Sequence, residues 1–223
     1  MTIQANDLYT RERTVGEIAA SLPGATAVFR RFGLDFCCKG DIALDESARH
    51  HGIDVSEVEE ALAELPRDGK AEAPSATVEL IEHILARYHE VHRRELKELV
   101  RLARKVEQVH AGNPAVPRGL ADLLDRTARE LEQHMGKEEL ILFPAMARAM
   151  PGLDAPIACM RHEHDDHGRT LQELEALTNG FTVPAGACRT WQALYAGVSK
   201  LADDLRQHIH LENNVLFPRF ARR

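Results

Sequence analysis

The sequence predicts an all-α protein, an up-down-up-down four-helix bundle preceded by a small N-terminal helical domain. Two internal repeats carry that expectation. The stretch His134-Met-Gly-Lys-Glu138-Glu-Leu-Ile-Leu142-Phe143-Pro144 returns as His208-Ile-His-Leu-Glu212-Asn-Asn-Val-Leu216-Phe217-Pro218, and both copies read H-x3-E-x3-L-F-P. Upstream, His89-x2-His92-x3-Leu96-x-Glu98-Leu99 returns as His164-x2-His167-x3-Leu171-x-Glu173-Leu174, at the same separation to within one residue. Two hairpins of one design, each an H-x2-H helix followed by an H-x3-E helix, make four helices.

The elements follow in order. Residues 1 to 13 are polar and read as a loose start, after which Thr14-Val-Gly-Glu17 is a capping box opening a helix through about Ser21. Pro23 starts a second helix, with Ala27, Val28, Phe32 and Leu34 as its apolar positions. Gly40 and Asp41 then turn the chain into a third helix near Ser47 to His51, and a fourth runs from about Val55 to Leu65. Four such short helices bury little by themselves, so residues 1–65 read as a satellite domain. Residues 66–76 combine Pro, Gly and charge with no large apolar side chain, which makes them a linker. Residues 77–223 hold the bundle.

Each bundle helix shows an apolar stripe at helical spacing. The first carries Val78, Ile81, Leu85, Tyr88, His92, Leu96, Leu99 and Val106, and ends near Gly112 and Pro114. The second starts around Pro117 and carries Leu120, Leu124, Leu131, His134, Glu138 and Ile141 before Pro144 ends or kinks it. Pro151 and Pro156 open the third, striped by Ile157, Met160, His164, His167, Leu171 and Leu174 and broken at Asn179-Gly180. The fourth carries Trp191, Leu194, Val198, Leu201, Leu205, His208 and Glu212.

Composition narrows the function. A chain of 223 residues, 44% apolar and 28% charged, is ordinary for one or two globular domains. A net charge of -7, with basic residues dispersed among acidic ones, argues against a nucleic-acid surface. No stretch has the length of a signal-peptide core or a membrane span, so a cytoplasmic protein without a membrane partner is expected. A homodimer stays open. Four cysteines, two of them adjacent at Cys37 and Cys38, do not form a disulfide framework.

Residues four apart on a helix share a face, so each H-x3-E stretch aims an imidazole and a carboxylate at one point. A lone pair of this kind is most often a surface pair or part of a buried hydrogen-bond network. Two matched copies, each coupled to an H-x2-H helix, favour metal binding instead. His89, His134, Glu138, His164, His208 and Glu212 would supply four imidazoles and two carboxylates with pseudo-two-fold symmetry, too many for one zinc and suited to two iron or manganese ions. Glu138 and Glu212 would bridge, each lying one turn beyond a histidine. Within each H-x2-H the spacing leaves the choice open, with His92 and His167 as alternative ligands or as hydrogen-bonding partners of the ligands. His110, His162 and His210 are expected to face solvent, and Tyr88 to fill the core.

A disulfide between adjacent cysteines is strained, so Cys37 and Cys38 read as two thiols for redox chemistry or transient metal or NO binding, against the plainer reading of two buried apolar side chains. Cys159 and Cys188 read as packing residues.

These motifs together resemble a known family. Asp35-Phe-Cys-Cys-Lys-Gly40, Arg87-Tyr-His-x2-His-Arg93, the 134–144 stretch, Glu163-His-Asp165 and the run 208–219 are similar to the iron-sulfur cluster repair di-iron proteins of the YtfE/ScdA (RIC) type, and the likeness spans nearly the whole chain from about Thr14. The resemblance implies an ScdA-like N-terminal domain and a hemerythrin-like bundle holding two non-haem irons in an oxo- or hydroxo-bridged centre. It also implies His89, His134, His164 and His208 as ligands, with Glu138 and Glu212 as bridges. The implied function is repair of iron-sulfur clusters damaged by nitrosative or oxidative stress, through donated iron, with damaged iron-sulfur proteins and the diatomics NO and O2 as partners. The alternatives are a di-iron NO or peroxide reductase and an O2 or NO sensor, although no output module is visible. One departure is Lys39, where the family's turn commonly reads C-C-G-G. A lysine is strained there if the position needs a positive φ; otherwise it adds positive charge beside two thiols.

Overall fold

The computed structural model describes residues 11–66 and 73–220; most of the expected loose start and of the linker lies outside these. The fold is all-α, and among the described residues the sole β feature is an isolated bridge between Thr14 and Ala43. The chain divides into two compact units, Ile81–Leu205 on one hand and Met1–Leu80 with Arg206–Arg223 on the other.

The larger unit is the four-helix bundle. Its helices are α6 (Glu90–Val109), α7 (Leu120–Lys137), α9 (Asp154–Leu177) and α10 (Arg189–His210, up to Leu205), with the short α8 (Phe143–Ala147) after α7. The stripes read from the sequence form its core. Leu96, Leu99 and Val106 of α6, Leu120, Leu124 and Leu131 of α7, Ile157, Met160, Leu171 and Leu174 of α9, and Trp191, Leu194, Val198 and Leu201 of α10 are all buried. Each such side chain contributes about 1.5–3 kcal/mol by leaving water. Gly197 lets α10 approach α6 closely, since a Cβ there would lie 2.6 Å from Leu99 Cδ2. The third helix ends where Asn179 (φ 50°) and Gly180 (φ 62°) take left-handed conformations, as the Asn-Gly pair predicts.

The smaller unit contains α1 (Val15–Ser21), α2 (Ala25–Arg31), α3 (Leu44–His50), α4 (Val55–Ala63) and the first half of α5 (Thr77–Ile84). The Thr14 capping box forms, with the Glu17 N–H donating to Thr14 Oγ1 and the Thr14 N–H donating to Glu17 Oε2. The helices gain a core by enclosing the C-terminal segment: Leu216 and Phe217 are buried in the same unit as Ile18, Phe29, Phe36, Leu44 and Leu62, and α1 packs on residues 211–216. So short a set of helices has too little apolar surface of its own to close a core.

Three turns depart from α geometry. Leu85–His89, Glu138–Leu142 and Leu211–Leu216 are π-helical, so their hydrogen bonds reach five residues back and each turn holds an extra residue. This overturns the expected stripe at one position: Ile141 is 66% exposed, while Leu142 turns inward at 3%. Val78, also placed on a stripe, is 48% exposed at the start of α5. Pro144 supplies a physical reason for the second π turn. In an α-helix its ring would press on the carbonyl four residues earlier and leave that carbonyl without a donor, and the wider turn relieves both. Pro144 therefore does not end the path; the chain continues as α8.

Candidate metal centre

In the bundle, three ligand-type side chains converge on one buried carboxylate. His134, in the last turn of α7, lies with Nε2 3.4 Å from Glu138 Oε2, and His89, at the end of the first π turn, lies with Nε2 3.5 Å from the same oxygen. His164 of α9 places its Nε2 3.1 Å from His134 Nε2. All four residues are at most 2% exposed. The donor atoms of His134, Glu138 and His164 fall within 4.8 Å of one another.

The outer hydrogen bonds decide what these atoms are. His89 Nδ1 lies 2.8 Å from Glu139 Oε1, which Arg93 also holds. Burial pushes Glu139 up, but its bonds to Arg93 and His89 outweigh that and keep the carboxyl below its ordinary range. Glu139 is therefore ionised and can only accept, so His89 Nδ1 carries the proton and donates. His134 repeats the pattern, with Nδ1 donating to Glu163 Oε2 at 2.9 Å while Lys137 ion-pairs with Glu163 at 2.5 Å. With Nδ1 committed to those carboxylates, both rings turn Nε2 toward Glu138. Imidazole nitrogens and a carboxylate brought together in a dry interior are the donor set of a metal ion of the iron, manganese or zinc class, and the residues fit one.

The C-terminal repeat shows its own pair: His208 Nε2 lies 3.0 Å from Glu212 Oε1, and both side chains are buried. Glu212 sits in the third π turn, as Glu138 opens the second. No H-x3-E pattern announces a π turn, but the L-F-P that follows each copy does. His92 and His167 are also buried, His92 with its ring centroid 6.2 Å from Tyr88 and His167 edge-on to His134 at 4.9 Å. Tyr88 is buried, as expected for core filling.

Several surface expectations are corrected. His210 is 2% exposed rather than facing solvent, and burial pulls its imidazole down to about 4. The sequence could not show this because the segment that covers it, around Phe36, lies far away in the chain; the Phe36 ring meets His210 edge-on at 5.6 Å. His110 is half-buried, its ring 5.0 Å from Trp191 and its Nε2 3.2 Å from Cys188 Sγ. Cys188 is more than packing, since the Trp191 backbone N–H and His110 pull its thiol below the usual range. Cys159 is exposed rather than buried, its Sγ 3.6 Å from Glu163 Oε1. His162 faces solvent as expected.

The Cys37–Cys38 turn is organised by Asp35. Its Oδ1 accepts the N–H of Cys37 (3.3 Å), the N–H of Cys38 (3.0 Å) and the Cys37 thiol (3.3 Å). The two sulfurs are 3.5 Å apart as free thiols, Cys37 buried and Cys38 half-buried. The hydrogen bond to Cys38, burial and Asp35 all push the Cys37 thiol well up, so it stays protonated. Lys39 is not among the residues with positive φ, so its side chain carries no backbone strain.

Comparison with known proteins agrees with this geometry. Residues 80–220 match the Hemerythrin HHE cation binding domain, and residues 11–66 match ScdA_N, a Domain of Unknown function (DUF542). The chain is 46% identical over 220 residues to the Iron-sulfur cluster repair protein YtfE of Dickeya chrysanthemi (strain Ech1591), an alignment covering 96% of this chain and 99% of that protein. It is 47% identical over 213 residues to the protein of the same name from Edwardsiella ictaluri (strain 93-146), covering 94% and 96%. The corresponding Pectobacterium atrosepticum protein is 44% identical over 216 residues, covering 95% and 98%.

Proposed function

The chain belongs to the family of the iron-sulfur cluster repair protein YtfE, and on that premise we propose that it repairs iron-sulfur clusters damaged by nitrosative or oxidative stress by delivering iron. The observation that carries the reading is the pair of imidazoles, His89 and His134, each held at Nδ1 by an outer carboxylate so that its Nε2 faces the buried Glu138.

We infer that His89, His134, His164 and His208, with Glu138 and Glu212 as bridges, hold two irons in one centre. The matched repeats and the family motif support that ligand set. Iron bound there would supply both the cargo for repair and a redox-active pair of metals. The protein's own residues do the rest: Glu139 and Glu163 fix which ring nitrogen carries the proton, and Arg93 and Lys137 hold those carboxylates in place through ion pairs. Nitrogen and oxygen donors hold ferrous ions less tightly than thiolate would, which suits a site that must give its metal up. We assign residues 1–65 to an ScdA-like domain, 66–76 to a linker and 77–223 to the hemerythrin-like domain. We place the protein in the cytoplasm, with damaged iron-sulfur proteins as clients. Among the described residues no helix is long and apolar enough to cross a membrane.

The test adds iron-loaded protein to an enzyme whose cluster has been destroyed by NO. Repair predicts faster recovery of activity than an equal amount of free ferrous iron produces; equal recovery rejects the reading. Stoichiometric nitrous oxide from NO and a reductant would move the protein to the reductase class instead.

A further inference from the structure

The turn that carries Glu212 is tied to the cysteine turn by two asparagines. Asn213 Nδ2 donates to the Cys37 carbonyl at 2.9 Å, and Asn214 Nδ2 donates to the Phe36 carbonyl at 2.9 Å. Asn214 Nδ2 also lies 2.9 Å from His210 Nδ1, and Asn213 is buried. Two glycines are shaped around the clamp: a Cβ on Gly16 or on Gly40 would lie 2.6 Å from Asn214 Oδ1. The Gly16 N–H donates to the Gly40 carbonyl at 2.7 Å, closing α1 against the same turn.

This arrangement exceeds what holding a loop requires. A surface turn is usually satisfied by its own local hydrogen bonds, as Asp35 already does here for Cys37 and Cys38. The asparagine bonds instead join the backbone of the thiols to the residues directly after a buried carboxylate. The joined segment is a π turn, an irregularity found more often at functional sites than in ordinary helix. Displacing the Cys37 carbonyl must therefore move Asn213, and with it the backbone of Glu212.

We propose that Asn213 and Asn214 are positioning residues that couple the state of the Cys37–Cys38 turn to the grip of Glu212 on its metal. The inference rests on the metal-centre reading above. Coupling of this kind is reciprocal: whatever modification of a thiol does to iron affinity, iron must do to the modification equilibrium.

The test uses full-length protein carrying Cys159→Ser and Cys188→Ser, so that Cys37 and Cys38 are the thiols left. Cys38 is capped with iodoacetamide, and two quantities are read before and after. Hydrogen exchange of residues 211–216, in protein without metal, should accelerate at least fivefold. Ferrous affinity, by competition with a chelator, should weaken by about five- to a hundred-fold. In Asn213→Ala and in Asn214→Ala the capped-to-uncapped affinity ratio should fall to about one, with two irons still bound; a merely structural role would lower stability and leave that ratio intact. Unchanged exchange in the capped parent protein overturns the proposal, as does a ratio that survives in both variants. Where the variants fail to fold, Asn213→Ser keeps a small polar side chain and the same two readouts decide. Accelerated exchange in a protein that binds no iron would instead reject the metal-centre reading.

Discussion

The two H-x3-E copies end in π turns of the same kind but with different surroundings. After Glu138 the chain presents Leu140 at 81% and Ile141 at 66% exposure, while Glu139 reaches back to His89 and Arg93. After Glu212 the places of Glu139 and Leu140 are taken by Asn213 and Asn214, which hold the backbone of the cysteine turn. One turn is open to solvent and pinned by charge; the other is built into a domain and pinned by neutral hydrogen bonds. The repeated motif explains the shared His–Glu pairing, and the flanking residues explain why the halves need not behave alike. An open turn tolerates change in its neighbours, whereas a clamped one passes displacement on to its carboxylate.

The largest expected effects come from the carboxylates. Glu138→Leu and Glu212→Leu should each cost roughly one of two irons, because imidazoles alone cannot hold two like-charged metals close together, whereas His92→Gln and His167→Gln should keep both irons, bound about ten- to a hundred-fold more weakly. Elemental analysis of the four purified proteins checks this, and full iron in the glutamate variants would overturn the ligand set. Next come the glycines. Gly40→Ala should destabilise by about 1–3 kcal/mol, since its Cβ would meet Asn214 Oδ1 at 2.6 Å and the Phe36 carbonyl at 2.9 Å. Gly136→Ala, two residues before Glu138, meets nothing within 4 Å and should stabilise α7 by about 0.5–1 kcal/mol. Urea unfolding of the pair measures the asymmetry directly, and equal signs would abolish it.

A control away from both turns is Asp204, which accepts from Arg87 Nη2 and Lys200 Nζ, each at 2.7 Å. Burial pushes this carboxyl up, but the bonds to Arg87 and Lys200 outweigh it and hold the group below the ordinary aspartate range. Its contribution to stability is therefore present above the unfolded value, about 3.9, and is lost as pH falls through the lower folded value. Asp204→Asn should cost about 2 kcal/mol at neutral pH and flatten the acid limb of the stability profile. The smallest effect belongs to the open turn: Leu140→Lys should change stability by less than about 0.5 kcal/mol and leave the iron content unaltered. A loss of iron there would show that this turn, too, transmits displacement.

The bundle was legible because burial imposes a period. Leu96, Leu124, Leu171 and Leu194 recur at helical spacing, and each is buried. The histidines and glutamates on those stripes stood out for the same reason, since a polar side chain on a buried face needs a partner. Ile141 was misplaced because periodicity assumes a constant number of residues per turn, and the π turn breaks that count.

By itself, the sequence determined the four amphipathic helices, the Thr14 capping box, the doubled ligand motif and the family to which the chain belongs. These are local or periodic properties, written within a few residues of one another, and the motif is repeated. Tertiary structure alone decided that His210 is buried under Phe36, that Gly40 must lack a side chain because of Asn214, and that Asn213 meets the Cys37 carbonyl. Each of these joins residues more than a hundred and seventy positions apart, and no local spacing encodes such a meeting. It arises because a small helical domain without enough core of its own closes around the far end of the chain.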